Sequence, residues 1–323
     1  MKLQFINILL LLISISSFGQ ENHIFQDLNP TIPDYKPELF ASGFISTHLN
    51  EYNITFAPDG ETILFTVANN TAVNRFYTIF ITQKIEGKWT EPTIAPFSGM
   101  HSDADPYFSP AGESVYFVST RPVVGDIAKE DFDIWKVSYT KGSFGIVQHL
   151  GTSVNSTNDE LYPTVSANGN LYFSTENGES GYDIMWSEFK DNKFTEPKSL
   201  EGSLNSPNIE FDAFVAPDES YIIFTGMGYK DSRGSGDLYI SFNENGRWTA
   251  GKNLGDAINS IHMDQCPMVS LDGRYLIFTS FRDSQPYNFK SPVLTEDYLT
   301  ILNSPLNGLG NIFWVQLDSY LLD

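Results

Sequence analysis

The chain has 323 residues, 41% of them hydrophobic and 14% aromatic, enough to bury a large core as one all-β domain or two smaller ones. With 19 basic against 40 acidic residues the net charge is -21, which argues against nucleic acid or an anionic membrane surface as a partner. The single cysteine, Cys266, excludes an intramolecular disulfide, so stability must come from the core.

Residues 1–19 read as a secretory signal, with a cation at Lys2, an apolar run from Ile6 to Ile15 and a small-residue close at Ser16-Ser17-Phe18-Gly19. No later run reaches the roughly 18 to 20 apolar residues that span a bilayer, so a soluble, monomeric protein of the periplasm or exterior is expected. Residues 20–34 read as an N-terminal extension, 35–318 as the folded domain and 319–323 as a C-terminal tail.

A repeat of about fifty residues organises the rest. Its signature is a small residue, a turn and an apolar-aromatic strand. The copies are Ala57-Pro58-Asp59-Gly60 before Ile63-Leu64-Phe65, Ser109-Pro110-Ala111-Gly112 before Val115-Tyr116-Phe117, and Ser166-Ala167-Asn168-Gly169 before Leu171-Tyr172-Phe173. Two more are Ala216-Pro217-Asp218-Glu219 before Ile222-Ile223-Phe224 and Ser270-Leu271-Asp272-Gly273 before Leu276-Ile277-Phe278. Their first residues are 52, 57, 50 and 54 apart. Proline presets φ and glycine accepts a positive one, so each turn joins two antiparallel strands. A third strand follows at Asp133-Ile134-Trp135, Asp183 to Trp186, Asp237-Leu238-Tyr239 and Asn311 to Trp314, with a degenerate copy at Tyr77 to Thr82. A fourth reads at Trp89 to Pro92, Phe194 to Pro197 and Trp248 to Gly251.

Four short antiparallel strands per repeat make a propeller blade. The last copy ends after its third strand, and Lys36 to Ile45 reads as a fourth strand lacking its first three. The expectation is an all-β, five-bladed β-propeller in which the N-terminal strand completes the last blade and so removes the open edges. The Ser/Ala-Pro-Asp-Gly turns, the Ser-x-Arg runs at Ser119-Thr120-Arg121 and Ser280-Phe281-Arg282, and the Asp-Ile-Trp strand together resemble the TolB-type, WD-like propeller repeat of exported bacterial proteins. The resemblance covers nearly the whole mature chain and implies the fold far more than any one function.

Six residues before the small residue of each copy stands an acid: Glu51, Asp103, Glu160, Glu210 and Asp264. All fall in blade-to-blade connections, where with Asp133, Asp183 and Asp237 they are expected to ring the channel mouth. There they would bind a cationic segment, or else build the repeat by accepting backbone N–H groups or pairing with Arg121 and Arg282. Three histidines, His48, His101 and His262, share these connections and suit a divalent metal such as Zn or Mn. That arrangement is similar to oligogalacturonate lyases, larger TolB-like propellers that use histidines and a divalent metal. No nucleophile elbow, phosphate loop or Ca loop occurs, and no other cofactor is indicated. The last blade carries 29 residues from Arg282 to Gly310, where Thr295-Glu296-Asp297 caps a short helix bearing Tyr298, Leu299, Ile301 and Leu302. This insertion, residues 282–310, is expected to be a lid over the mouth. The reading is a non-catalytic binding or scaffold propeller that engages a protein, peptide or cell-envelope partner through this face; the alternative is a metal-assisted polysaccharide lyase or glycoside hydrolase using the same face.

Overall fold

A computed structural model describes residues 24–69, 71, 75–177, 181–283 and 289–317. The secretory signal and the C-terminal tail lie outside them. Each turn closes as its sequence dictates: Gly60, Gly112, Gly169 and Gly273 take φ between 70° and 88°, and the fourth copy puts Glu219 there at 61°. The triplet after each turn is buried throughout, because it lies on the middle strand of a sheet packed on both faces by neighbouring sheets.

Blade 1 comprises strands Asn50–Phe56, Thr62–Ala68, Tyr77–Ile85 and Thr93–Ile94. Blade 2 comprises Asp103–Phe108, Ser114–Ser119, Asp133–Thr140 and Ser143–His149. Blade 3 is Glu160–Val165, Leu171–Glu176, Tyr182–Ser187 and Lys198–Ser199, and blade 4 is Ile209–Val215, Tyr221–Met227, Asp237–Glu244 and Lys252–Asn253. Blade 5 joins Asp264–Val269, Tyr275–Ser280 and Asn311–Gln316 to the N-terminal pair Glu38–Leu39, which lies antiparallel to Trp314 and Phe313. The innermost strands pack side by side, the fifth against the first, so the five-bladed ring is closed.

The fourth strands differ from expectation in detail. Trp89, Phe194 and Trp248 sit in local hairpins, and the outer strand proper is a two-residue pair a few positions later. The cause is the threonine after each aromatic: Thr90, Thr195 and Thr249 each accept a backbone N–H from the third strand through their hydroxyl, at 3.0 to 3.1 Å, and replace part of the ladder. Blade 2 alone has a long fourth strand, which no aromatic-threonine signal announced.

The N-terminal extension is part of the core. A helical turn at residues 24–28 seats Ile24 and Phe25, both essentially inaccessible, in the largest apolar cluster. Phe25 stacks on Trp314 with centroids 5.5 Å apart and planes 11° apart, and also meets Phe40, Phe56 and Tyr275. Asn29 then accepts the Ala41 N–H at 2.7 Å and ties the turn to the closing strand.

Phe25→Ala is therefore expected to cost about 3 to 5 kcal/mol, the range for deleting a buried aromatic ring, and a chain beginning at Thr47 should aggregate or lose cooperative unfolding. Chemical denaturation of the two variants checks both; an unchanged midpoint in either would show that the closure carries no stability.

Candidate functional site

The five recurring acids are buried: Glu51, Asp103, Glu160, Glu210 and Asp264 are each at most 1% exposed. Their connections explain why. Four residues before the acid stands Thr47, Gly99, Ser156, Ser206 or Ser260, whose backbone N–H donates to the carboxylate at 2.6 to 3.3 Å. Where that residue is Ser or Thr, its hydroxyl donates as well. One position earlier, Ser46, Ser98, Asn155, Asn205 or Asn259 bonds the backbone of the preceding blade's third strand, at Ile312, Ile79, Ile134, Ile184 and Leu238. Each connection is thus clamped to the blade it leaves and the blade it enters.

The clamp has two forms. Asp103 and Asp264 pair with Arg121 and Arg282 at 2.7 Å, and the two arginines make matching bonds to Ser119 and Ser280 and to the carbonyls of Phe97 and Ile258. The other blades lack the arginine and carry glutamate. Glu51 takes the Asn311 amide instead, and Glu210 takes the Tyr229 hydroxyl. Oε2 of Glu160 has no hydrogen-bond partner among the described residues. Burial pushes Glu51 and Glu160 up to about 7 and raises Glu210 as well. The further acids are held too: Asp133 by Lys129 and His149, Asp183 by Asn177, and Asp237 by the N–H groups of Arg233 and Gly234.

His48, His101 and His262 sit in three different connections, and among the described residues no group of three or more His, Cys, Asp or Glu side chains is placed to hold a metal. The insertion forms its helix, Thr295–Leu302, but no helix residue is buried, and Tyr298, Leu299 and Leu302 are 40 to 50% exposed. Its C-terminal end docks on the blade 5 to blade 1 connection and the start of blade 1: the Asn307 amide donates to the His48 carbonyl and the Gly310 carbonyl accepts the Glu51 N–H. Residues 284–288 of the insertion lie outside the described residues.

What the mouth does contain is a cavity of about 700 Å³ lined by all five blades. Its floor is made by a device that the sequence reading missed. Two residues after each recurring acid, the innermost strand breaks register in a β-bulge, and Asn53, Asp105, Tyr162, Asp212 and Cys266 take φ of 36° to 53°. The freed N–H groups of Asn53, Asp105 and Asp212 donate to Thr279, Thr66 and Ser174 of the preceding blade at 3.0 to 3.2 Å. Blade 2 offers Val118 at that place, and the Tyr162 N–H goes to the Asp105 carboxyl at 3.2 Å. Cys266 donates its thiol to Asp212 at 3.2 Å.

Asp105, Asp212 and Cys266 line the cavity, and no cation pairs with either carboxyl among the described residues. Burial raises both aspartates above the usual carboxylate range, Asp212 further because Asp105 repels it, and it raises the Cys266 thiol. The walls are aromatic, with Tyr52, Tyr77, Phe132, Tyr182, Phe211 and Phe281. Tyr52 stands edge-on to Phe281 at 5.7 Å and to Tyr77 at 5.9 Å. Asp159 adds a third carboxylate, and Arg75, the one cation in the lining among the described residues, donates to the Tyr77 hydroxyl at 3.0 Å. The chemistry on offer is a concave aromatic wall above an acceptor-rich floor.

No protein-family model and no curated protein matches the chain. Solved structures share its fold: a putative TolB from Agrobacterium tumefaciens at 12% identity, covering 84% of this chain and 91% of that one with TM-score 0.48, and the native arabinanase of Bacillus subtilis at 12%, covering 84% and 95% with TM-score 0.50. The catalytic domain of an α-L-arabinofuranosidase from Coprinopsis cinerea is similar at 9% identity, covering 84% and 91% with TM-score 0.49. At such identities the likeness says nothing about activity, and the all-β five-bladed β-propeller rests on the strand pairing described above.

The two forms of clamp differ in what a neutral isostere does. Asp103→Asn or Asp264→Asn strands a half-buried arginine and should cost about 3 kcal/mol, whereas Glu160→Gln should leave the melting temperature at about pH 8 unchanged or higher, since the lost oxygen had no partner. Glu51 and Glu160 keep their protons to about pH 7 when folded and release them near 4.5 when unfolded, so their contribution favours folding on the acid side and is lost as pH rises through that window. Melting curves from pH 5 to 8 should accordingly slope downward, and less steeply for Glu160→Gln; a rising slope would contradict the burial of these two protons.

Proposed function

We propose that this chain is a non-catalytic binding propeller that receives a cationic segment of a partner polypeptide in the cavity at its channel mouth. The observation that carries the reading is the division of labour among the carboxyls. Those that recur in every blade are buried in the clamps that join the blades, while Asp105 and Asp212, which break the repeat, face the cavity without a cation among the described residues. Aromatic walls above such a floor attract an ammonium or guanidinium through their π faces as well as through charge. The net charge of -21 steers a cationic partner toward the molecule.

The encounter belongs, in this reading, to the periplasm or the cell exterior, with a protein, peptide or envelope component as partner; the repeat's resemblance to the TolB type of exported proteins and the signal read at residues 1–19 support it. Among the described residues no helix is long and apolar enough to cross a membrane.

Calorimetric titration with an oligolysine peptide, an oligoglutamate peptide and the polysaccharides arabinan and polygalacturonate tests the assignment. Oligolysine should bind saturably, oligoglutamate should not, and the Asp105→Asn/Asp212→Asn double variant should weaken oligolysine by about tenfold or more. Because burial already favours the neutral forms of both groups, the double variant should fold. Oligolysine affinity that ignores the double substitution would reduce the interaction to surface charge, and release of sugar ends from either polysaccharide would make the propeller an enzyme.

A further inference from the structure

Blade 3 holds the outline of an arginine that it does not possess. In blades 2 and 5 the recurring acid faces a serine across the ladder, Asp103 opposite Ser119 and Asp264 opposite Ser280, and a guanidinium fills the space between them. In both blades that guanidinium donates through Nε to the serine at 2.8 Å and through Nη2 to the acid at 2.7 Å and to a carbonyl six residues before the acid. It also lies over the strand's phenylalanine, Phe117 at 4.8 Å and Phe278 at 5.3 Å.

Every acceptor of this site recurs in blade 3. Glu160 faces Thr175 across the ladder, Val154 stands six residues before the acid, and Phe173 holds the place of Phe117 and Phe278. The residue two beyond the hydroxyl, Arg121 or Arg282 in the other blades, is Asn177. Asn177 turns away to the Asp183 carboxylate at 2.6 Å. Two polar atoms are orphaned, Oε2 of Glu160 and Oγ1 of Thr175, both buried and both without a hydrogen-bond partner among the described residues. Glu160, Thr175, Val154 and Phe173 line one open pocket of about 340 Å³, whose rim adds the carboxylates of Glu176 and Glu196 and whose lining, among the described residues, contains no Lys, Arg or His. Lys129, whose charge reaches Glu160, is engaged by Asp131 and Asp133. The remaining two blades show no such vacancy. Blade 1 places Val67 and blade 4 Gly226 opposite the acid, and Asn311 and Tyr229 satisfy Glu51 and Glu210.

We infer that this pocket is a guanidinium site filled from outside by an arginine side chain of a partner polypeptide. It shares no residue with the lining of the channel cavity and does not depend on what that cavity binds. The planar fork of arginine matches three acceptors whose geometry the same chain satisfies twice with its own arginines, and its stem lies along the aromatic ring. A lysine ammonium is a point charge and cannot reach hydroxyl, carboxylate and carbonyl together. A buried carboxylate oxygen and a buried hydroxyl without partners are costly, so a ligand that supplies both donors recovers that cost.

The probe is N-acetyl-arginine methylamide, titrated into the full-length protein beside the lysine and citrulline analogues and followed by calorimetry and thermal shift. The arginine compound should bind saturably in the millimolar range proper to a fragment, with lysine and citrulline weaker by about tenfold or more. Glu160→Gln should abolish the binding while leaving the protein folded. Asn177→Arg should also abolish it, by supplying the missing side chain from within, and should raise the melting temperature. Equal responses to arginine and lysine, arginine binding retained by Glu160→Gln, or no saturable arginine signal in the unsubstituted protein would each overturn the inference. The Glu160→Gln arm decides the matter even if Asn177→Arg fails to fold.

Discussion

Everything in this molecule hangs on a buried carboxylate at the start of each blade. A propeller has no sheet that continues from one blade to the next, so the ring is only as rigid as the connections that cross it. Here each crossing carries the same pair of bonds. A carboxylate gathers the N–H, and usually the hydroxyl, of the residue four places earlier, and the residue five places earlier grips the third strand just left. The carboxylate tolerates burial because its acceptor capacity is nearly filled. Where an arginine supplies the last donor the acid is Asp, and where none does the acid is Glu, which burial keeps close to protonation.

A second ring, two residues further on, turns the same scaffold toward function. The bulge in every innermost strand puts one residue per blade into a left-handed conformation that glycine, asparagine and aspartate adopt most readily, and Tyr162 and Cys266 take it against their type. At Asn53, Asp105 and Asp212 the backbone is held by a hydroxyl from the preceding blade, which leaves the side chain at that position free to vary. The five at this position, Asn53, Asp105, Tyr162, Asp212 and Cys266, share no single chemistry, in contrast to the five clamp acids. Symmetric positions build the ring, and asymmetric ones give it a floor with character.

The same contrast accounts for the pocket of blade 3. One clamp was assembled without its arginine and without a substitute, which left donors missing from an otherwise complete site. A repeat protein provides its own control here, because the filled version of the site stands in two other blades.

Period and turn chemistry were enough to read five blades, their middle strands and the closure by the N-terminal segment from the residues alone, since those features depend on local φ preferences and on burial of continuous apolar triplets such as Leu171-Tyr172-Phe173. The recurrence of Glu51, Asp103, Glu160, Glu210 and Asp264 was equally plain, and so was the prospect that they build the repeat. Their complete burial was not, because a carboxylate's exposure depends on donors that arrive from the preceding connection. The place of Phe25 in the core, the docking of the insertion's end on blade 1, and the bulges that aim Asp105 and Asp212 into the channel were decided by tertiary structure. Each is a contact between segments distant in sequence, and no periodicity within one repeat encodes which side chain meets which across the ring.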